Sequence, residues 1–112
     1  MNVYEMNLHN EPFDLILSGR KTVEMRLSKN GRENIRKDDI IVFTNKDGKK
    51  LKVLVLNINK FPTFKELYDY YDKEKLGYSQ NKDASPDDML KYYSKKDIAK
   101  YGVLAIEIKL TK

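Results

Sequence analysis

From Thr22 to Leu27 the chain alternates without a break: Val23, Met25 and Leu27 are apolar, while Thr22, Glu24 and Arg26 are polar. A period-two run of this kind reads as a strand with one dry face and one polar face. Further strand-like runs lie at Val3–Leu8, Ile40–Phe43, Leu51–Phe61 and Val103–Leu110. In the long run, Leu51, Val53, Val55 and Asn57 should share one face, with Leu54, Leu56 and Ile58 near the other. In the last run Leu104, Ile106 and Ile108 should face one way.

Helical signals are shorter and fewer. Asn10 can cap a helix in which Phe13, Ile16 and Leu17 form the apolar stripe and which Gly19 ends. Thr63-Phe64-Lys65-Glu66 has the form of a capping box. It predicts a helix through about Glu74, with Phe64, Leu67, Tyr68 and Tyr71 inward and Leu76-Gly77-Tyr78 closing it. Ser85-Pro86-Asp87-Asp88 and Ser94-Lys95-Lys96-Asp97 read as two more helix starts. Asn30-Gly31 marks a turn inside the polar loop Ser28–Asp39, and Asn45–Gly48 marks a turn between two strands. The order is therefore β-α-β-β-β-α-α-β. Strands that do not alternate regularly with helices argue against a parallel α/β sheet. The expected fold class is α+β: a small, mostly antiparallel β-barrel flanked by short helices.

Length and composition narrow the function classes. With 112 residues, 40% hydrophobic and 35% charged, the chain makes one domain over residues 1–112. No apolar run approaches the ~18 residues a membrane span needs. The first residues show neither a basic nor an apolar leader region, so a cytoplasmic location is expected. The absence of cysteine excludes a disulfide framework, a thiolate nucleophile and a thiolate-held zinc, and the single His9 excludes any site needing two histidines. No metal or cofactor is expected.

Charge is unevenly placed. The net charge is +5, and residues 18–37 alone hold all four arginines, Arg20, Arg26, Arg32 and Arg36. The remaining basic residues are lysines, which read as a solvating surface. A planar arginine fork suits phosphates and base edges, so this window reads as an anion or nucleic-acid footprint. Within it, Lys21, Glu24 and Arg26 follow Gly19 within seven residues at the start of a strand. Alternation puts Glu24 and Arg26 on one face with Thr22, and Lys21 joins them only at the beginning of the strand or beside a bulge. A cation, a carboxylate and an arginine fork could hold a planar polar ligand or move a proton; a plain surface ion pair would do neither. Tyr78 and Tyr101, each beside a glycine, are candidates for stacking a base at a cleft edge. His9 reads as a residue of the helix-cap region.

The segment Gly19-x-Lys21-x-x-Glu24-x-Arg26 resembles the G-x-K-x-x-E-x-R signature of the ASCH domain, a relative of the PUA RNA-binding fold. The likeness continues through Ile35–Phe43, with Asp38 where the family usually has glycine, through Tyr92-Tyr93-Ser94, and through Tyr101–Ile106. The resemblance implies a PUA-like barrel with a cleft at the signature. Lys21, Glu24 and Arg26 carry over as its residues, and RNA or a nucleoside as its ligand. Together with Thr22, Arg20, Arg36, Tyr78 and Tyr101 they form the expected binding set. One branch of the family resembles an amidohydrolase acting on N4-acetylcytidine. If this chain were an enzyme of that kind, or a ribonuclease, Lys21 and Glu24 would be its catalytic residues. Glu24 stands where that branch has a threonine, which favours a binding module.

Overall fold

The computed structural model describes residues 1–111. Its elements are β1 (Val3–Asn7), α1 (Asn10–Leu17), β2 (Val23–Leu27), a 3-10 turn (Arg32–Asn34), β3 (Ile40–Thr44), β4 (Lys50–Phe61), α2 (Phe64–Tyr70), α3 (Lys73–Leu76), a second 3-10 segment (Pro86–Lys91), α4 (Lys95–Tyr101) and β5 (Val103–Leu110). The strands form one five-stranded sheet in the order β1-β3-β4-β5-β2. Only β1 and β3 run parallel; the other three pairings are antiparallel. The class is α+β, as expected, and the barrel is a curled half-barrel whose two edges are β1 and β2.

The sheet separates two apolar clusters. Met6, Leu8, Phe13, Ile16, Ile35, Ile41, Phe43, Leu51, Val53 and Val55 pack with Leu104, Ile106 and Ile108 on the inner side beneath α1. Val23, Met25, Leu27, Val103 and Ala105 pack on the other side against Phe64, Leu67, Leu76, Met89 and Ile98 of the helical segments. β5 is thus buried on both faces, and the expected facing of Val23, Met25 and Leu27 holds. Their polar neighbours Glu24 and Arg26 consequently point to the inside of the half-barrel, with Glu24 opposite Ile106.

Local chemistry departs from the sequence expectation at four points. In β4, Val55 pairs with Ile108 and Asn57 with Glu107, so Leu56 is an extra residue. This bulge reverses the alternation. Leu56 is exposed, and Ile58 packs on the same inner cluster as Val53 and Val55, while Asn57 does not continue that face. Asn10 does not cap α1; His9 occupies the cap position without a side-chain bond. The Asn10 amide instead joins the β3–β4 turn, donating to Asp47 and accepting from the Lys46 N–H. Thr63 donates to the Glu66 carboxylate and offers no side-chain cap to the helix. Finally, the expected helix to Glu74 breaks at Tyr71, which is extended (ψ 145°). There its hydroxyl donates to Glu107 Oε2 at 2.8 Å and accepts from Asn59 at 2.8 Å. Long-range polar partners outweigh one more helical turn here. The second start, by contrast, is a complete capping box between Ser85 and Asp88.

Candidate functional site

Gly19 closes α1 with φ +83°, a conformation that costs a side chain dearly and glycine little. The next two N–H groups, of Arg20 and Lys21, both return to the Leu15 carbonyl at 3.0 Å. Thr22 N–H then donates to the Lys75 carbonyl at 3.0 Å. Lys21 is in this way pinned at the start of β2, between α1 and α3, which resolves its opposite parity.

Its side chain runs inward under Gly77. An added Cβ at Gly77 would sit 3.4 Å from Lys21 Cδ, an ordinary contact, but the residue has φ +110°, so a side chain there would be strained. The ammonium donates to the Leu76 carbonyl at 2.9 Å and lies 3.4 Å from Glu24 Oε1. The other carboxylate oxygen receives Nε and Nη2 of Arg26, each at 2.9 Å. Arg26 Nη2 also donates to the Asn7 carbonyl at 2.8 Å. Since Asn7 ends β1 and Arg26 lies in β2, one guanidinium ties together the two edges of the half-barrel.

These are buried charges, with side-chain exposures of 6% for Lys21, 6% for Glu24 and 11% for Arg26. Burial pushes the Glu24 carboxyl up, but Lys21 and Arg26, with hydrogen bonds from Arg26 and the Met25 N–H, outweigh it and hold the group below 4.5. It is therefore an ionised acceptor at neutral pH. Two cations share one carboxylate, leaving one positive charge uncompensated within the trio. Arg26 Nη1 has no hydrogen-bond or ion-pair partner among the described residues.

The remaining candidates are spread around this trio. Thr22 is exposed and makes no side-chain hydrogen bond among the described residues. Arg20 and Tyr78 together line a hollow of about 300 Å3 against Glu74, Gly77, Ser79 and Gln80. The Tyr78 hydroxyl donates to Asp88 at 2.7 Å and meets that of Tyr68 at 2.8 Å. Burial first, then both partners, push this phenol well above its usual range. Tyr101 lies at the opposite end of β2, its ring between the ammonium groups of Lys29 (5.0 Å) and Lys100 (5.2 Å). Arg36 is folded onto its own loop, donating to the carbonyls of Glu33 and Ile35. That loop is pinned by Asp39, whose carboxylate accepts the backbone N–H groups of Asn2 (2.9 Å) and Arg36 (2.8 Å). These bonds, that from Asn2 above all, lower its pKa. Beside it Asp38 adopts φ +75°, so the turn keeps a left-handed shape with aspartate in the glycine's place.

Tyr93, which the sequence did not single out as a site residue, packs against the outer cluster. Its phenol is raised by burial, and the charges of Arg26, Glu24 and Arg32 act on it. Its ring stacks on Phe64 at 6.1 Å. The only sequence signal was its place in the Tyr92-Tyr93-Ser94 segment. No described helix is long and apolar enough to cross a membrane, and no three metal-ligating side chains come together among the described residues.

Against known proteins, the chain is 34% identical to hypothetical protein PH0355, over 97% of this chain and 99% of that one, with a TM-score of 0.83. It is 32% identical to protein PF0455 from Pyrococcus furiosus, over 98% of both chains, with a TM-score of 0.70. The ASCH domain from Lactobacillus crispatus shares the fold at 14% identity and a TM-score of 0.65, covering 97% of this chain and 79% of that one. No curated protein matches the chain. The ASCH domain profile matches residues 6–112, nearly the whole chain: the chain belongs to the ASCH domain family.

Proposed function

We propose that this protein binds RNA or a nucleoside through the Lys21/Glu24/Arg26 trio, with arginines at the rim meeting phosphates. The observation that carries the reading is the charge imbalance at the seam: two buried cations, one carboxylate, and a guanidinium edge without a partner among the described residues. Such an edge donates to a base carbonyl or a phosphate oxygen, and its partial burial strengthens each bond it makes. The likeness to the PUA fold points to the same ligand class. Catalysis fits less well. Glu24 is held ionised by its neighbours and is a weak base, and the Lys21 ammonium already donates to a carbonyl.

The test is a chemical-shift titration with the four mononucleotides and short single-stranded RNAs. Binding should move Lys21, Glu24, Arg26 and Gly77. Lys21→Ala and Glu24→Gln should each abolish most of it, with the double variant losing little more, because each single change strands the other partner. Arg26→Lys, which keeps the charge but loses the fork, should weaken binding in a folded protein. Losses that add across the two sites, or no binding at all, would overturn the reading. Turnover of N4-acetylcytidine or RNA by the unaltered protein would replace it with hydrolysis by Lys21 and Glu24.

A further inference from the structure

The geometry points to a separate base-recognition subsite in the hollow beside the trio, selective for guanine. This rests on the nucleic-acid reading above and names the base it would read. The hollow measures about 300 Å3 and is lined by Arg20, Glu74, Gly77, Tyr78, Ser79 and Gln80. That volume is at the lower end for small-ligand sites and suits one base better than a longer segment.

Three features make it a built site. First, Tyr78 is locked: its hydroxyl is held by Asp88 at 2.7 Å and Tyr68 at 2.8 Å, and its ring packs edge-on against Tyr68. A ring fixed at its far end is a preorganised stacking surface, so a base docking on it orders little. Second, the wall is clamped. Lys73 Nζ donates to the carbonyls of Gln80 at 3.0 Å and Lys82 at 2.7 Å, tying the loop after Tyr78 back onto α3. Third, Arg20 and Glu74 line the same hollow, yet neither forms an ion pair among the described residues. Both are exposed, and an arginine that only donates beside a carboxylate that only accepts suits a ligand with acceptor and donors on one edge. Guanine alone among the four bases places two adjacent donors, N1–H and N2–H2, beside an acceptor, O6. The carboxylate takes the first pair and the guanidinium takes O6. Gly77 joins the hollow to the trio, since Lys21 Cδ lies 3.4 Å from where its Cβ would be. A base in the hollow would thus lie beside Gly77, next to the lysine stem.

The experiment compares GMP, IMP, AMP, CMP and UMP by chemical-shift titration of the full chain. GMP should bind at least about tenfold tighter than AMP, CMP or UMP, the discrimination one bidentate contact supplies. IMP, which lacks the N2 amine, should fall between. Shifts should centre on Glu74, Gly77 and Tyr78. Glu74→Gln, at an exposed position, should erase the guanine preference while leaving the fold intact, and Arg20→Ala should weaken GMP binding. A single-stranded RNA with one unpaired guanine that binds tighter than GMP identifies RNA as the source of the base; equal affinity identifies the free nucleotide. Nucleotides that bind with no guanine preference, or without shifts at the hollow, would overturn this subsite while leaving the trio's reading in place. Absence of any nucleotide binding would overturn both.

Discussion

Glu24→Gln tests the centre of the structure most directly. The carboxylate is 6% exposed and lies between two cations that are themselves 6% and 11% exposed. Replacing it by an amide keeps the shape and one acceptor oxygen, but leaves both cations without an opposite charge. Breaking a buried pair from one side costs about 3–5 kcal/mol. Arg26 retains the Asn7 carbonyl and Lys21 the Leu76 carbonyl, so the lower end, about 3 kcal/mol, applies here. For a domain of this size that corresponds to a fall in melting temperature of roughly 12 °C, at about 4 °C per kcal/mol, the value where the ranges for shorter and longer chains meet. The pH dependence sharpens the test. Because the folded Glu24 pKa lies below 4.5, its stabilisation is fully present above that value and is lost as the pH falls through the folded pKa. Below that point the parent's Glu24 is also neutral, so parent and variant should converge in acid while differing most at neutral pH. Asp39 and Glu66 also titrate low, but they do so in both proteins and cancel in the difference. Urea melts followed by circular dichroism across this range supply the measurement. A neutral-pH loss under about 1 kcal/mol, the size of an exposed pair, would refute the buried trio. So would a gap between the two proteins that does not close in acid.

Other positions yield simpler outcomes. Met25→Asp places an unpaired charge in the outer cluster, where Met25 is 7% exposed, and should cost several kcal/mol; near-parental thermal stability would count against the assigned facing. Asp38→Gly relieves a left-handed backbone at φ +75°, and the gain is offset by chain entropy, so urea denaturation should show a change between zero and about 1 kcal/mol of stabilisation. The Tyr71 phenol is pushed up to about 12, by burial and by Glu107; Glu107→Gln should bring its ultraviolet titration back toward the ordinary value of 10.0. Neutralising Arg32 should flatten the salt dependence of single-strand RNA binding by ~0.7 per phosphate contact. Arg36, already donating to two loop carbonyls, should flatten it less.

Most of the strand faces were legible in the chain because burial on one side of a sheet imposes period two on the sequence. Val23, Met25 and Leu27 could be put on one face of the strand and Glu24 and Arg26 on the other from six residues alone. The glycine after α1 and the helix start at Ser85 were readable for the same reason: both act within a few residues of themselves. The bulge at Leu56 was not, because one extra residue shows only when the partner strand supplies the count, and it alone decides that Ile58 joins the inner cluster. Nor was the break at Tyr71, since a hydroxyl's preference for Glu107 and Asn59 is invisible until strands 36 and 12 residues away in sequence lie beside it.

The trio divides along the same line. Its members, and their resemblance to a family signature, stand in the sequence between Gly19 and Arg26. That they are buried, that Leu76 and Asn7 complete their hydrogen bonds, and that Arg26 closes the seam between β1 and β2 depends on tertiary contacts. Spacing specifies which side chains share a strand face; it carries no information about whether that face meets water. Only the curl of the sheet, bringing β1 and α3 to β2, turns an exposed ion pair worth little into buried charges on which stability depends.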